Sequence, residues 1–195
     1  MKRIILTIAI ALCAISSFAQ PRALGLRVGA SGLEADYQHD FNGNQFLEGC
    51  IGLDFGYNIN GQPGGKATAI YNFVWARPAW TNKGTWALYA GPGVTLGYVN
   101  DMEVWKASNG IDILYSEPRN GFMLGICGQV GLEYTFDFPL QLSVDLRPVF
   151  GMHVSEGVSV TTPATEITVR YKSRVGFYDN GLLGFAPSIS VRYRF

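Results

Sequence analysis

The chain is organised by a two-residue period. From Gly121 to Asp137, Phe122, Leu124, Ile126, Val130, Leu132, Tyr134 and Phe136 fall on one face, and Gly125, Cys127, Gln129, Gly131, Glu133 and Thr135 on the other. The next segment sets Leu140, Leu142, Val144, Leu146, Phe150, Met152 and Val154 against Gln141, Ser143, Asp145, Arg147 and His153. The last sets Leu183, Phe185, Ile189, Val191, Tyr193 and Phe195 against Gly184, Ser188, Ser190, Arg192 and Arg194. Such alternation is the signature of a strand with one apolar face. Further strands are predicted over 22–30, 33–41, 46–59, 66–77 and 84–99. In the fourth of these segments, 66–77, Tyr71, Phe73 and Trp75 face outward and Thr68, Asn72 and Ala76 inward.

Eight strands is an even number that closes a sheet, and closure leaves no unpaired edge. Asn42-Gly43-Asn44, Pro78 to Lys83 and Asp137-Phe138-Pro139 read as compact turns. The links at 60–65, 100–120 and 155–180 are longer; Ser31-Gly32 is the exception, short for its side. The predicted fold is all-β: an eight-stranded, antiparallel, up-and-down transmembrane barrel, with short turns in the periplasm and long loops outside. Tyr37, Phe41, Tyr134, Phe136, Phe138, Tyr193 and Phe195 are expected at the inner rim, and Tyr57, Tyr98 and Phe122 at the outer, where aromatic rings meet lipid headgroups.

Composition supports this reading. The 195 residues are 48% hydrophobic but 15% charged, with 24 glycines, whereas a soluble domain carries roughly a quarter charged residues. Basic and acidic side chains number 15 each, so no net field points to nucleic acid. Lys2 and Arg3 precede an apolar run from Ile4 to Ile15, and Ser17-Phe18-Ala19 ends it, which predicts a signal peptide over 1–19 and a barrel over 20–195. Of the two cysteines beyond the signal, Cys50 and Cys127, free and buried thiols are expected, because they fall on strands that are not neighbours.

The strand Ile189, Val191, Tyr193, Phe195 resembles the terminal signal of Gram-negative outer-membrane proteins, and Tyr193-Arg194-Phe195 resembles an aromatic-x-aromatic pattern favoured by periplasmic chaperones. Taken with the strand pattern, the chain resembles the small outer-membrane β-barrel family that includes OmpX-like proteins and the OmpA transmembrane domain. The resemblance implies residence in the outer membrane amid lipid and lipopolysaccharide, and biogenesis through the barrel assembly machinery. It does not imply a task, since such barrels differ in function.

The candidate chemistry divides three ways. An eight-stranded barrel is filled by its own side chains. The inward positions predict a plug of ion pairs among Arg27, Glu34, Asp36, Glu48, Asp54, Glu133, Asp145, Arg147, Arg192 and Arg194, because an isolated ion away from water is costly. A small channel is the alternative. His153-Val154-Ser155-Glu156 resembles the His-x-Ser element of lipid A 3-O-deacylases, which implies His153 as base, Ser155 as nucleophile and Glu166 or Glu156 as orienting acid; that family has asparagine where Glu156 stands, and the strand phase turns His153 inward. No enzymatic activity, cofactor or metal is expected, as His39 and His153 are far apart and there is no ligand cluster. Glu103-Val104-Trp105 and Ile111 to Tyr115 flank Ser108-Asn109-Gly110, and Val158 to Val160 and Thr165 to Tyr171 flank Thr162-Pro163-Ala164, so both long loops are predicted to be β-hairpins. Trp105, Ile113, Leu114, Tyr115 and Tyr171 would there offer surface, or an open strand edge, to a protein partner.

Overall fold

The computed structural model describes residues 22–30, 32–55, 63–107, 113–161 and 168–195, with backbone alone for 100–107, 113–120, 155–161, 168–174 and 179. The predicted signal segment lies outside the described residues. Among the described residues ten strands follow one another: β1 (Arg22–Gly29), β2 (Gly32–Asp40), β3 (Gln45–Asp54), β4 (Gly64–Ala76), β5 (Thr85–Ala107), β6 (Ile113–Thr135), β7 (Leu140–Leu146), β8 (Val149–Thr161), β9 (Thr168–Asp179) and β10 (Ser188–Arg194). All pairings are antiparallel. β1 to β6 form a meander, β7 and β8 both pair with β6, β9 pairs with β8, and β10 pairs with β7 and with β1. β7 with β8, and β9 with β10, are therefore single staves in two pieces. The result is a closed barrel of eight staves.

The alternation has its physical counterpart in burial. The outward rows are large and apolar, and Ile126 is 67% exposed. The inward rows are largely polar, and Arg192, the bulkiest of the fully buried side chains among the described residues, is 1% exposed. This inverts the arrangement of a water-soluble protein, where apolar residues are the buried ones.

Two predicted strands are interrupted. The stretch Leu140–Val154 breaks at Arg147–Pro148, because proline has no N–H for the ladder. The last strand does not begin at Leu183: Gly181–Phe185 is a turn of 3-10 helix. Asn180 fills the gap in the ladder. The Val149 N–H donates to its Oδ1 at 2.9 Å, and its Nδ2 donates to the Arg147 carbonyl at 3.0 Å. The Arg147 N–H donates to the Gly184 carbonyl at 3.0 Å. β3 ends at Asp54, short of the predicted 59; residues 56–62 are outside the described set. Thr168 to Tyr171 lie in β9, paired with β8 as the hairpin reading expects, and the strand continues to Asp179 through residues placed in the link. β5 runs on to Ala107 and β6 starts at Ile113, while β8 runs to Thr161 and β9 starts at Thr168, so two hairpins rise from one end. Their tips at 108–112 and 162–167 lie outside the described residues.

Closure depends on close approach at the β1–β10 seam. A Cβ on Gly25 would lie 1.9 Å from the Val191 carbonyl oxygen, while one on Gly49 would meet nothing within 4 Å. Gly25→Val is therefore expected to abolish the compact, heat-modifiable band of a closed barrel on a denaturing gel, and Gly49→Val to keep it.

Candidate functional site

The interior holds one ionic network, built by inward positions of seven strands and the β7–β8 break, and an apolar cluster of Ile70, Val99, Met123, Cys127, Val149 and Tyr178. Near the turn end, Arg192 on β10 donates from Nε to Asp36 Oδ2 at 2.6 Å and from its terminal nitrogens to Ser143 Oγ at 2.8 Å and Glu48 Oε2 at 3.2 Å. It also lies 3.8 Å from Glu133, which accepts from Gln38 at 3.2 Å. Gln141 donates to Gln38. Towards the hairpin end, Arg27 bridges Glu34 at 2.9 Å and Asp145 at 2.7 Å. Arg147 reaches across the barrel from the break to Glu34 at 3.0 Å and to Glu48. Lys66 stands 3.2 Å from Asp54 and 3.6 Å from Glu34.

Glu48 joins the two tiers. It accepts from Arg192, from Arg147 and, at 3.1 Å, from Gln129, which itself accepts from Asn72 at 2.9 Å. All these groups are buried. Each charge therefore meets an opposite charge rather than bare low-dielectric surroundings, where it would be unstable. The small cavity among Arg27, Lys66, Thr68, Arg147, Asn180 and Ser188 is about 10 Å³, room for about one water.

The structure brings together nine of the sequence-derived residues: Arg27, Glu34, Asp36, Glu48, Asp54, Glu133, Asp145, Arg147 and Arg192. Arg194 is not with them. It is half-buried at the end of β10, opposite Ala23, and makes no ion pair among the described residues. Lys66 was missed, although its even spacing from Thr68 and Asn72 places it on the inward face.

Asp36, Glu48 and Cys50 bring three ligand atoms within 4.8 Å of one another. Arg192 and Arg147 already donate to the two carboxylates, so a cation there would face two guanidinium groups. Cys50 and Cys127 are free, buried thiols.

His153 is inward and 6% exposed, its ring edge-to-face with Tyr178 at 5.9 Å. The side chains of Ser155, Glu156 and Glu166 lie outside the described residues. His39 sits at the turn end, 3.4 Å from the Tyr37 hydroxyl and edge-on to Phe41. Around that end run two chains of touching rings. One links Phe41, Tyr71 and Phe73; the other links Trp80, Trp86, Tyr134, Phe136 and Phe138. Trp80 and Trp86 were not foreseen there; Trp80 lies in a turn, where alternation gives no signal. Ile189, Val191, Tyr193 and Phe195 are exposed on the outer wall. In the hairpins, Trp105 registers with Tyr115, Lys106 with Leu114, Ala107 with Ile113, and Val158 with Tyr171.

Removing one partner of a buried ion pair leaves the other uncompensated, at a cost of about 3–5 kcal/mol. Arg192→Leu strands Asp36, while Glu48 keeps Arg147, and is expected to lower unfolding stability by that order in urea titrations of the detergent-folded protein. Arg194→Ala is expected to stay within about 0.5 kcal/mol of the parent.

No protein-family model matches the chain, and no curated protein matches it. Among solved structures, the crystal structure of a major outer membrane protein from Thermus thermophilus is similar at a TM-score of 0.43 and 13% sequence identity, covering 91% of this chain and 100% of that chain.

Proposed function

We propose that the chain is an integral outer-membrane barrel of a Gram-negative envelope, with a lumen plugged by its own ion pairs and a role in surface interaction carried by its two hairpins. The observation that carries this reading is the inverted burial. Soluble proteins keep contiguous exposed apolar patches to a few hundred Å², whereas here apolar side chains cover the outer wall of every stave, from Leu24 and Leu26 on β1 to Ile189 and Val191 on β10. Such a wall is stable against lipid. Closure supports it too, since the pairing of β1 with β10 completes a ring of antiparallel neighbours and removes the edges that an open meander would expose to hydrocarbon. The aromatic chains at the turn end suit the headgroup layer, and short turns opposite long hairpins support turns in the periplasm and hairpins outside.

The ionic network supports a plug over a conduit, because Arg147, Arg192 and Glu48 span the bore rather than line it. The hydrolase reading has one described member, His153, and that ring faces away from the lipid side. The hairpins favour interaction. β5 and β6 stay paired with each other beyond Tyr98, where β4 has ended. β9 pairs with β8 on one side and has no strand on the other among the described residues. A strand with one side open to further pairing suits the addition of an extended partner segment.

Two measurements test this. In planar bilayers the purified protein is expected to give no stepwise conductance above background; discrete steps would overturn the plug. With photo-crosslinking residues at Trp105 and Tyr171 in intact cells, one recurring protein adduct is expected. Adducts to lipopolysaccharide alone, or none, would overturn the interaction role and leave a structural one.

A further inference from the structure

The outer wall has a dent. Along β6 the outward residues are Phe122, Leu124, Ile126, Gly128, Val130 and Leu132, an apolar row with its side chain missing at Gly128. The facing positions on β5 are Ala90 and Pro92, both small, with Pro92 registering directly with Gly128. On the other side of β6, the break at Arg147–Pro148 leaves Gly128 and Gln129 without ladder partners, and one bond from the Gly128 N–H to the Pro148 carbonyl at 3.1 Å holds the chain there. On the far side of β5 the ladder with β4 also skips Gly91 and Pro92. Three adjacent staves are thus thin at one height.

The missing volume is a cavity of about 470 Å³ lined by Ala90, Pro92, Gly128, Val130, Leu146 and Phe185. Its floor reaches Cys127 and Gln129, residues of the inner face. Phe185, 59% exposed on the 3-10 turn, forms one bank, and Leu182 of the same turn is 83% exposed. The volume falls in the range of small-molecule sites, and the lining is almost wholly apolar.

We propose that this slot seats one hydrocarbon chain of a membrane lipid as a defined site, distinct from the mobile lipid around the rest of the wall. The proposal rests on the reading of the outer wall as lipid-facing. The slot opens in the middle of the apolar belt, level with Ile126 and Val130, so the only flexible apolar occupant at that depth is an acyl chain. A narrow concavity favours it over a rigid helix or a second barrel, whose convex wall would leave the slot empty. Burial there removes both the chain and the banks from contact with other lipid, and it replaces contacts that a void would forfeit.

Gly128 supplies the test. A Cβ at this position meets nothing within 4 Å, and its backbone is not among the left-handed glycines, so Gly128→Leu fills the slot without obstructing the strand. The protein is reconstituted in nanodiscs of phosphatidylethanolamine that contain a tracer with a diazirine at mid-chain, irradiated, and the adducts mapped by mass spectrometry. Adducts enriched on the segments holding Gly128, Leu146 and Phe185 over those holding Leu26 and Ile51 are expected, and the enrichment is expected to be lost in Gly128→Leu. Ala90→Leu serves as the second variant, with heat-modifiable migration checked for both. Even labelling around the wall, or enrichment unchanged in a folded variant, overturns the slot and leaves the membrane reading standing. Absence of adducts at Leu26 and Ile51 as well overturns the membrane reading and the slot with it.

Discussion

Pairing of β1 with β10 turns a meander into a ring. A strand has two rows of hydrogen-bonding groups, and in hydrocarbon neither row finds water. The seam runs from Ala23 opposite Arg194 to Val28 opposite Ile189. Once it forms, the inside and outside of the sheet become different solvents. Charge is driven inward and apolar surface outward, and each remaining feature of the molecule answers to that division.

The interior shows how strict the division is. Arg27, Lys66, Arg147 and Arg192 are held among acidic side chains on β2, β3, β6 and β7, and Glu48 touches two of the guanidinium groups at once. A slip of one residue in any stave would exchange its faces, putting carboxylates into the wall and leucines into the network. The ion pairs therefore act on register as much as on stability. They penalise the alternative barrels that an evenly apolar outer face would tolerate.

Much of this was legible in the sequence, because the period of two survives in every stave and charge almost always falls on the same face. Face is a local property, read from parity. Partnership is not: that Arg147 crosses to Glu48, or that Arg192 meets Asp36, depends on stagger around the closed ring. Arg194 shows the limit, since it shares the parity of Arg192 but makes no ion pair among the described residues. Lys66 shows another, a lysine at a strand start that parity places inside. The interruptions at Arg147–Pro148 and Gly181–Phe185 were hidden for a different reason. Leu183 and Phe185 keep the alternation going through a segment that is not strand, so the pattern ran on past the structure. The role of Asn180 in bridging that gap comes from geometry alone.

The two-piece construction of the last stave bears on the order of assembly. β8 and β9 are near in sequence and pair without reference to the ends of the chain. β10, beyond the Asn180 stitch, must find β1 at the opposite end, and bringing distant segments together carries the greater loop-closure entropy. Because the stitch separates these events on one stave, the outer hairpin can zip as a unit while the ring is still open. The final step is then the docking of a short segment, Ser188–Arg194, and that segment carries Arg192. The residue that completes the network is delivered with the strand that completes the ring, so closure and charge neutralisation arrive together.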